Sequence, residues 1–247
     1  MRTITDAMAE FTVEPVVDLI IGYLEDQFNT RKRILHSPGN ALPNKWEIKR
    51  ELSMLLSVNK DRVLVEKGLN LLIKEAVSIP GGMLMIQEFM QAGNLLFNKA
   101  ENRAPYVFDT AQEMFGLSDL TIATIFEFAQ SLMNVQRMDE ALELFTLLST
   151  LNTYAFEPWL LRGFCWMQKA DYFEAIYSLS LASLMKFEDP WPHIYSAHCY
   201  FAVHEDKLGR DSLDLGMRYA KEEDLEKMHP MLENLKQRTR SLKGGSL

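Results

Sequence analysis

Between residues 122 and 223 this sequence repeats itself with a period of 34. Aligned as 122–155, 156–189 and 190–223, the three blocks agree in five columns without a gap. Ala129, Gly163 and Ala197 share one column, and Leu132, Trp166 and Tyr200 share the next. Ala141, Ala175 and Gly209 follow, then Phe145, Leu179 and Leu213, then Leu148, Ala182 and Gly216. Small residues recur where two helices must approach closely, and large apolar residues recur where a core must be filled. A unit of this length cannot bury its apolar face alone, so neighbouring units must stack. With 9 prolines and 12 glycines in 247 residues, the chain is too poor in turn formers for a β fold. The fold expected is all-α.

The rest of the chain also reads as helical. Val16, Val17, Leu19, Ile20, Tyr23, Leu24 and Phe28 make one amphipathic stripe beginning just after Pro15, a favoured helix-start residue. Residues 36–44 hold two prolines and a glycine and read as a loop. Helices are expected over 45–57 and from about 61 to 77, then a break at Ile79-Pro80-Gly81-Gly82 and a helix over 83–97. Asn102-Arg103-Ala104-Pro105 breaks the pattern again, and Ser118 is placed to cap a helix starting at Asp119. Beyond the repeats, 224–241 reads as a capping helix interrupted or restarted at Pro230, and 243–247 as a disordered tail. The expected division is a helical region at 1–116, a repeat domain at 117–226 and a capping tail at 227–247. Repeat three is the weakest, because Gly209 and Gly216 each cost a helix interior roughly 1 kcal/mol relative to alanine.

Composition excludes several classes of function. Lys and Arg number 26 against 34 Asp and Glu, a net charge of −8. A nucleic-acid partner is not expected, since phosphate-backbone binders present a basic face. Residues 117–226 carry a net −10 and 227–247 a net +4, which reads as a solvated acidic face or as attraction for a basic partner. The N-terminus lacks a basic segment followed by an unbroken apolar run, and no apolar run approaches a membrane span, so stable membrane insertion is not expected. Cys165 and Cys199 are the only cysteines and read as free buried thiols in a reducing cytosol, with a bridge between them the lesser alternative. His193 and His198 are five apart, off the i,i+4 spacing of a helical metal pair. Pro80-Gly81-Gly82-Met83 lacks the lysine of a phosphate loop. No catalytic group, metal or cofactor is expected.

The period and its columns match the tetratricopeptide helix–turn–helix unit, three of which stack as a right-handed superhelix. The first helix of each pair lines the concave face through positions 2, 5, 9 and 12. In repeat one these are Ala123, Phe126, Gln130 and Met133; in repeat two Glu157, Leu160, Phe164 and Met167; in repeat three Trp191, Ile194, His198 and Phe201. Eight of the twelve are large and apolar, and an apolar patch of that size signals a binding site. The same residues are plain core if extra helices or a second subunit fill the groove. The candidate peptide-binding residues are Phe126, Gln130, Met133, Leu160, Phe164, Met167, Trp191, Ile194, His198 and Phe201.

From Leu117 to about Ala220 the sequence also resembles the class II chaperones of bacterial type III secretion. The resemblance lies in Ser118-Asp119 leading into Ile125-Phe126-Glu127-Phe128-Ala129, and in Met138-Asp139-Glu140-Ala141-Leu142 with Phe145 and Leu148. It continues in Leu151-Asn152-Thr153-Tyr154, Leu161 with Gly163-Phe164, and Tyr172-Phe173-Glu174-Ala175-Ile176-Tyr177. It ends in Asp189-Pro190-Trp191-Pro192 followed by Tyr195-Ser196-Ala197-His198-Cys199. It implies a bacterial cytoplasmic chaperone, not an enzyme, that holds an extended segment of a secreted hydrophobic translocator or effector in the groove and keeps it export-competent. A homodimer is a further assembly it implies. The family has only a short N-terminal arm, so the first ~100 residues depart from it. The alternative is a tetratricopeptide scaffold or sorting-platform protein that mediates assembly without chaperone activity.

Overall fold

The computed structural model describes residues 13–22, 45–99 and 110–244. The expected loop at 36–44 and the break at 102–105 lie outside the described residues, and a helix begins at Lys45. Among the described residues the regular structure is helical throughout. The chain divides into two compact units, Met1–Thr153 and Tyr154–Leu247. Repeat one falls almost wholly in the first unit and repeats two and three in the second.

The first unit holds α1 (14–22), α2 (Lys45–Glu75), α3 (Gly82–Lys99), α4 (Ala111–Phe115), α5 (Asp119–Asn134) and α6 (Met138–Leu151). Pro15 lies in the first turn of α1, which buries Val16, Val17, Ile20 and Ile21. One helix, α2, runs where two were expected. The stretch 57–61 contains neither proline nor glycine, and an interior asparagine such as Asn59 costs well under about 1 kcal/mol. Its buried stripe of Val65, Leu69, Leu72 and Ala76 keeps helical spacing, and α2 packs along α6. At Gly68 the helices touch: an added Cβ would lie 2.9 Å from the carbonyl oxygen of Glu143.

Ser118 caps α5 as expected, with its hydroxyl accepting from the Thr121 amide at 3.2 Å. A second helix joins the cap. The Ser118 amide and hydroxyl donate to the two carboxylate oxygens of Glu88 on α3, at 2.9 and 2.7 Å. This is the reciprocal logic of a capping box, with the acid supplied from another helix. Helix α6 is buried at every residue from Leu144 to Leu151. Its hydroxyls bond within the helix: Thr146 donates to the Leu142 carbonyl, and Ser149 and Thr150 both donate to that of Thr146.

The second unit holds α7 (Phe156–Gln168), α8 (Tyr172–Met185), α9 (Pro190–Ala202), α10 (Asp206–Tyr219) and α11 (Glu222–Gly244). The 34-residue step holds to the residue: α6, α8 and α10 begin at Met138, Tyr172 and Asp206. The turns repeat as well. Gln136, Ala170 and His204 adopt left-handed backbone, with φ of 64°, 58° and 63°. After each, the next amide reaches back to a first-helix carbonyl: Arg137 to Leu132, Asp171 to Trp166 and Glu205 to Tyr200. This is the bond pattern that closes a helix through a left-handed residue, commonly glycine, yet none of the three is glycine.

Two expectations about the second unit change. Helix α11 runs from Glu222 to Gly244 straight through Pro230, without interruption, and takes in Lys243 and Gly244 of the expected tail; 245–247 lie outside the described residues. Gly209 and Gly216 are closely packed against α9. A Cβ at Gly209 would lie 2.8 Å from two ring atoms of Phe201, and one at Gly216 would lie 2.6 Å from Ile194 Cδ1. Glycine at these columns admits a neighbouring side chain.

Candidate functional site

Within the second unit, α9 presents Trp191 and Tyr195 one turn apart, and α7 presents Phe164. The Trp191 and Tyr195 ring centroids are 5.5 Å apart, as are those of Phe164 and Tyr195. All three side chains are half-buried, so they form one continuous aromatic strip that keeps part of its area open to water. Aspartate fixes the start of α9: Asp189 accepts from the Trp191 amide at 3.1 Å, and Pro190 occupies the first helical position. That geometry sets the direction from which Trp191 leaves the backbone.

The flanks are polar and tied down. Lys186 pairs with Glu157 at 2.7 Å and lies 4.4 Å from the centroid of the Phe156 ring. Burial pushes the Glu157 carboxyl up, but the hydrogen bond from Lys186 and its charge leave it below the ordinary range. Burial pushes the Tyr195 phenol up to about 12, so its hydroxyl is neutral at physiological pH. Beyond Trp191 a cleft of about 580 Å³ opens between Phe187, Asp189, Tyr219 and Asp224. Nearby, Tyr172 meets the half-buried His198, with centroids 6.2 Å apart.

The ten expected groove residues fall into distinct environments. Phe164 and Trp191 join the strip, and half-buried Leu160 packs at the edge of the core made by Phe156, Trp159 and Ala182. Ile194 and Phe201 are 0% exposed and belong to the core that Leu213, Leu232 and Leu235 complete. They are not open groove residues, because Gly209, Leu213 and Gly216 of α10 pack against them and Leu232 and Leu235 of α11 complete the core. Met167 is 6% exposed and likewise buried. In the first unit, half-buried Phe126 stands edge-on to Phe145 at 5.9 Å, Met133 is half-buried and Gln130 is exposed.

One residue of the strip was not singled out from the sequence. Tyr195 links the other two rings, and its spacing of four from Trp191 on one helix was the available signal. Arg162 is wholly buried, its guanidinium 5.0 Å from the centre of the Trp159 ring. Both cysteines are free and buried, and burial pushes each thiol up to about 12. Among the described residues no group of three or more His, Cys, Asp and Glu side chains gathers as a metal site. No described helix is long and apolar enough to cross a membrane.

No family model and no curated protein matches the chain. Solved structures do resemble it. The type III secretion translocator chaperone SycD of Yersinia enterocolitica is 21% identical, covering 53% of this chain and 98% of its own, with a TM-score of 0.48. A type III secretion complex from Aeromonas hydrophila is 20% identical, over 60% of this chain and 98% of its own, with a TM-score of 0.49. PcrH in complex with the chaperone-binding region of PopD is 18% identical, over 52% and 96%, with a TM-score of 0.47.

Proposed function

We propose that the strip formed by Phe164, Tyr195 and Trp191 binds an extended apolar segment of a partner polypeptide, and that this chain is a type III secretion chaperone holding a hydrophobic translocator or effector soluble in the bacterial cytoplasm. The observation that carries this reading is the strip itself: three rings in contact, each half-buried, on two helices whose inward faces already have a core. Side chains placed at alternate positions of an extended peptide bury on rings of this kind, and each aromatic platform retains apolar area that water gives up on binding. Leu160 and His198 flank the strip as further contacts. Phe126, Gln130 and Met133 on α5 form a separate contact patch of the same kind.

Co-expression with a hydrophobic translocator, followed by fractionation and pull-down, tests the proposal. The translocator stays soluble with the native chain. Phe164→Glu and Trp191→Glu each lose it, while their far-UV circular dichroism and melting curves match those of the native chain. Losing one aromatic platform lowers affinity by about 1.5–3 kcal/mol, roughly tenfold to a hundredfold. Unchanged capture by both variants, or a translocator that stays insoluble, refutes the reading.

A further inference from the structure

Helix α11 lies on the part of α9 that the repeat pattern assigns to the binding surface. Ile194 and Phe201 stand at the positions that half-buried Leu160 and buried Met167 hold in repeat two, and both are wholly enclosed. Gly209, Leu213 and Gly216 of α10 pack against them, and Leu232 and Leu235 of α11 complete the cluster, with Met231 and Leu225 at its edge. The two ends of this contact are held unequally. At its start α11 is capped, with Asp224 accepting from the Lys221 amide at 3.1 Å. Further along comes Pro230, exposed and inside the helix. Proline gives no amide hydrogen to the carbonyl four residues back and crowds it, so the helix is weakest there. Beyond the proline Glu233 and Asn234 are exposed, and among residues 231–235 Leu232 and Leu235 are the buried ones.

We propose that the half of α11 beyond Pro230 is a displaceable cover on the binding surface, and that an apolar peptide competes with Leu232 and Leu235 for Ile194 and Phe201. Opening pivots at Pro230 while the capped first turns stay docked, and it extends the aromatic strip by one leucine-sized and one phenylalanine-lined pocket. The competition rests on the peptide-binding reading; the opening does not. A cover of this kind keeps the apolar surface shielded until a ligand arrives, and lowers the apparent affinity by the fraction of time it is closed.

Hydrogen exchange read by mass spectrometry on the full chain tests both parts. Without ligand, amides of 231–240 exchange at least tenfold faster than those of 190–202, and Pro230→Ala slows them on the order of tenfold or more by restoring the missing helix bond. A fluorescein-labelled peptide of alternating leucine and serine speeds exchange at 231–240 and slows it at 190–202, and it binds Pro230→Ala on the order of tenfold more weakly. If 231–240 exchanges in step with 190–202, or Pro230→Ala leaves it unchanged, the hinge is overturned whatever the peptide does. If the peptide binds and protects 231–240, the competition is overturned. If it binds neither protein while the fast, proline-dependent exchange is seen, the peptide-binding reading falls together with the competition and the hinge stands.

Discussion

Replacing Gly209 by alanine separates two effects that point in opposite directions. Helix propensity alone favours the substitution by up to about 1 kcal/mol in the interior of α10. Packing opposes it. The new methyl would sit 2.8, 2.8 and 3.0 Å from three atoms of the Phe201 ring, and that ring is 0% exposed within the core that also holds Leu213, Leu232 and Leu235. A planar ring with neighbours on its far side has no flexible end to swing away, so overpacking of this kind costs about 1–3 kcal/mol. Clash exceeds propensity, and Gly209→Ala is expected to lose about 1–2 kcal/mol. With a urea slope of roughly 2 kcal/mol/M, the midpoint falls by about 0.5–1 M. Urea unfolding followed at 222 nm gives the value. Gly22→Ala in α1 is the matched control, since nothing lies within 4 Å of a Cβ there, and its midpoint holds or rises. Phe201→Leu combined with Gly209→Ala costs less than the two changes summed, by at least about 0.5 kcal/mol, because the smaller side chain yields the space. A midpoint for Gly209→Ala that rises with that of Gly22→Ala refutes the reasoning, since the glycine would then be a weak helix residue and no more.

Three further outcomes follow from local geometry. Ala170→Gly stabilises the second unit by up to about 1 kcal/mol, because Ala170 holds φ at 58° and left-handed backbone costs a side-chain-bearing residue about 1–2 kcal/mol; a lower melting temperature contradicts it. Cys165 and Cys199, buried and with thiols pushed up to about 12, stay unreactive toward Ellman's reagent at pH 8 in the native protein, and both react in urea. Rapid labelling of either in the native state contradicts this. Burial pushes the Glu88 carboxyl up, but the amide and hydroxyl of Ser118 and the hydroxyl of Thr121 pull it further down, so its folded pKa lies below the ordinary 4.5. For a depressed carboxylate the stabilisation is complete above 4.5 and is lost as the pH falls through the folded value. The stability deficit of Glu88→Ala is therefore constant from pH 7 to 5 and shrinks below pH 4; a deficit that does not change with pH contradicts the assignment.

What the sequence made legible was the set of contacts that the period itself generates. The five columns are side-chain sizes at the meeting of two helices, and helices α6, α8 and α10 begin 34 residues apart because that meeting recurs. Residues outside the period decided the rest. Position 5 or 12 of a first helix tells which side of that helix Ile194 and Phe201 occupy, but not that Leu232 and Leu235 lie over it. The single 31-residue α2 in place of two expected helices has the same cause: nothing between 57 and 61 tells that the stripe from Val65 to Ala76 has a surface to pack on. The turns hid in another way. A left-handed position is announced in a sequence by glycine, and Gln136, Ala170 and His204 announce nothing; the two recurring helices force them into it. Gly209 and Gly216 show the converse. Their intrinsic cost was readable and pointed to a weak repeat, whereas the atoms that make glycine necessary belong to Phe201 and Ile194 on the preceding helix. A residue's own propensity is a property of one position, and its sign in a folded chain is set by whichever neighbour fills or leaves open the volume beside it.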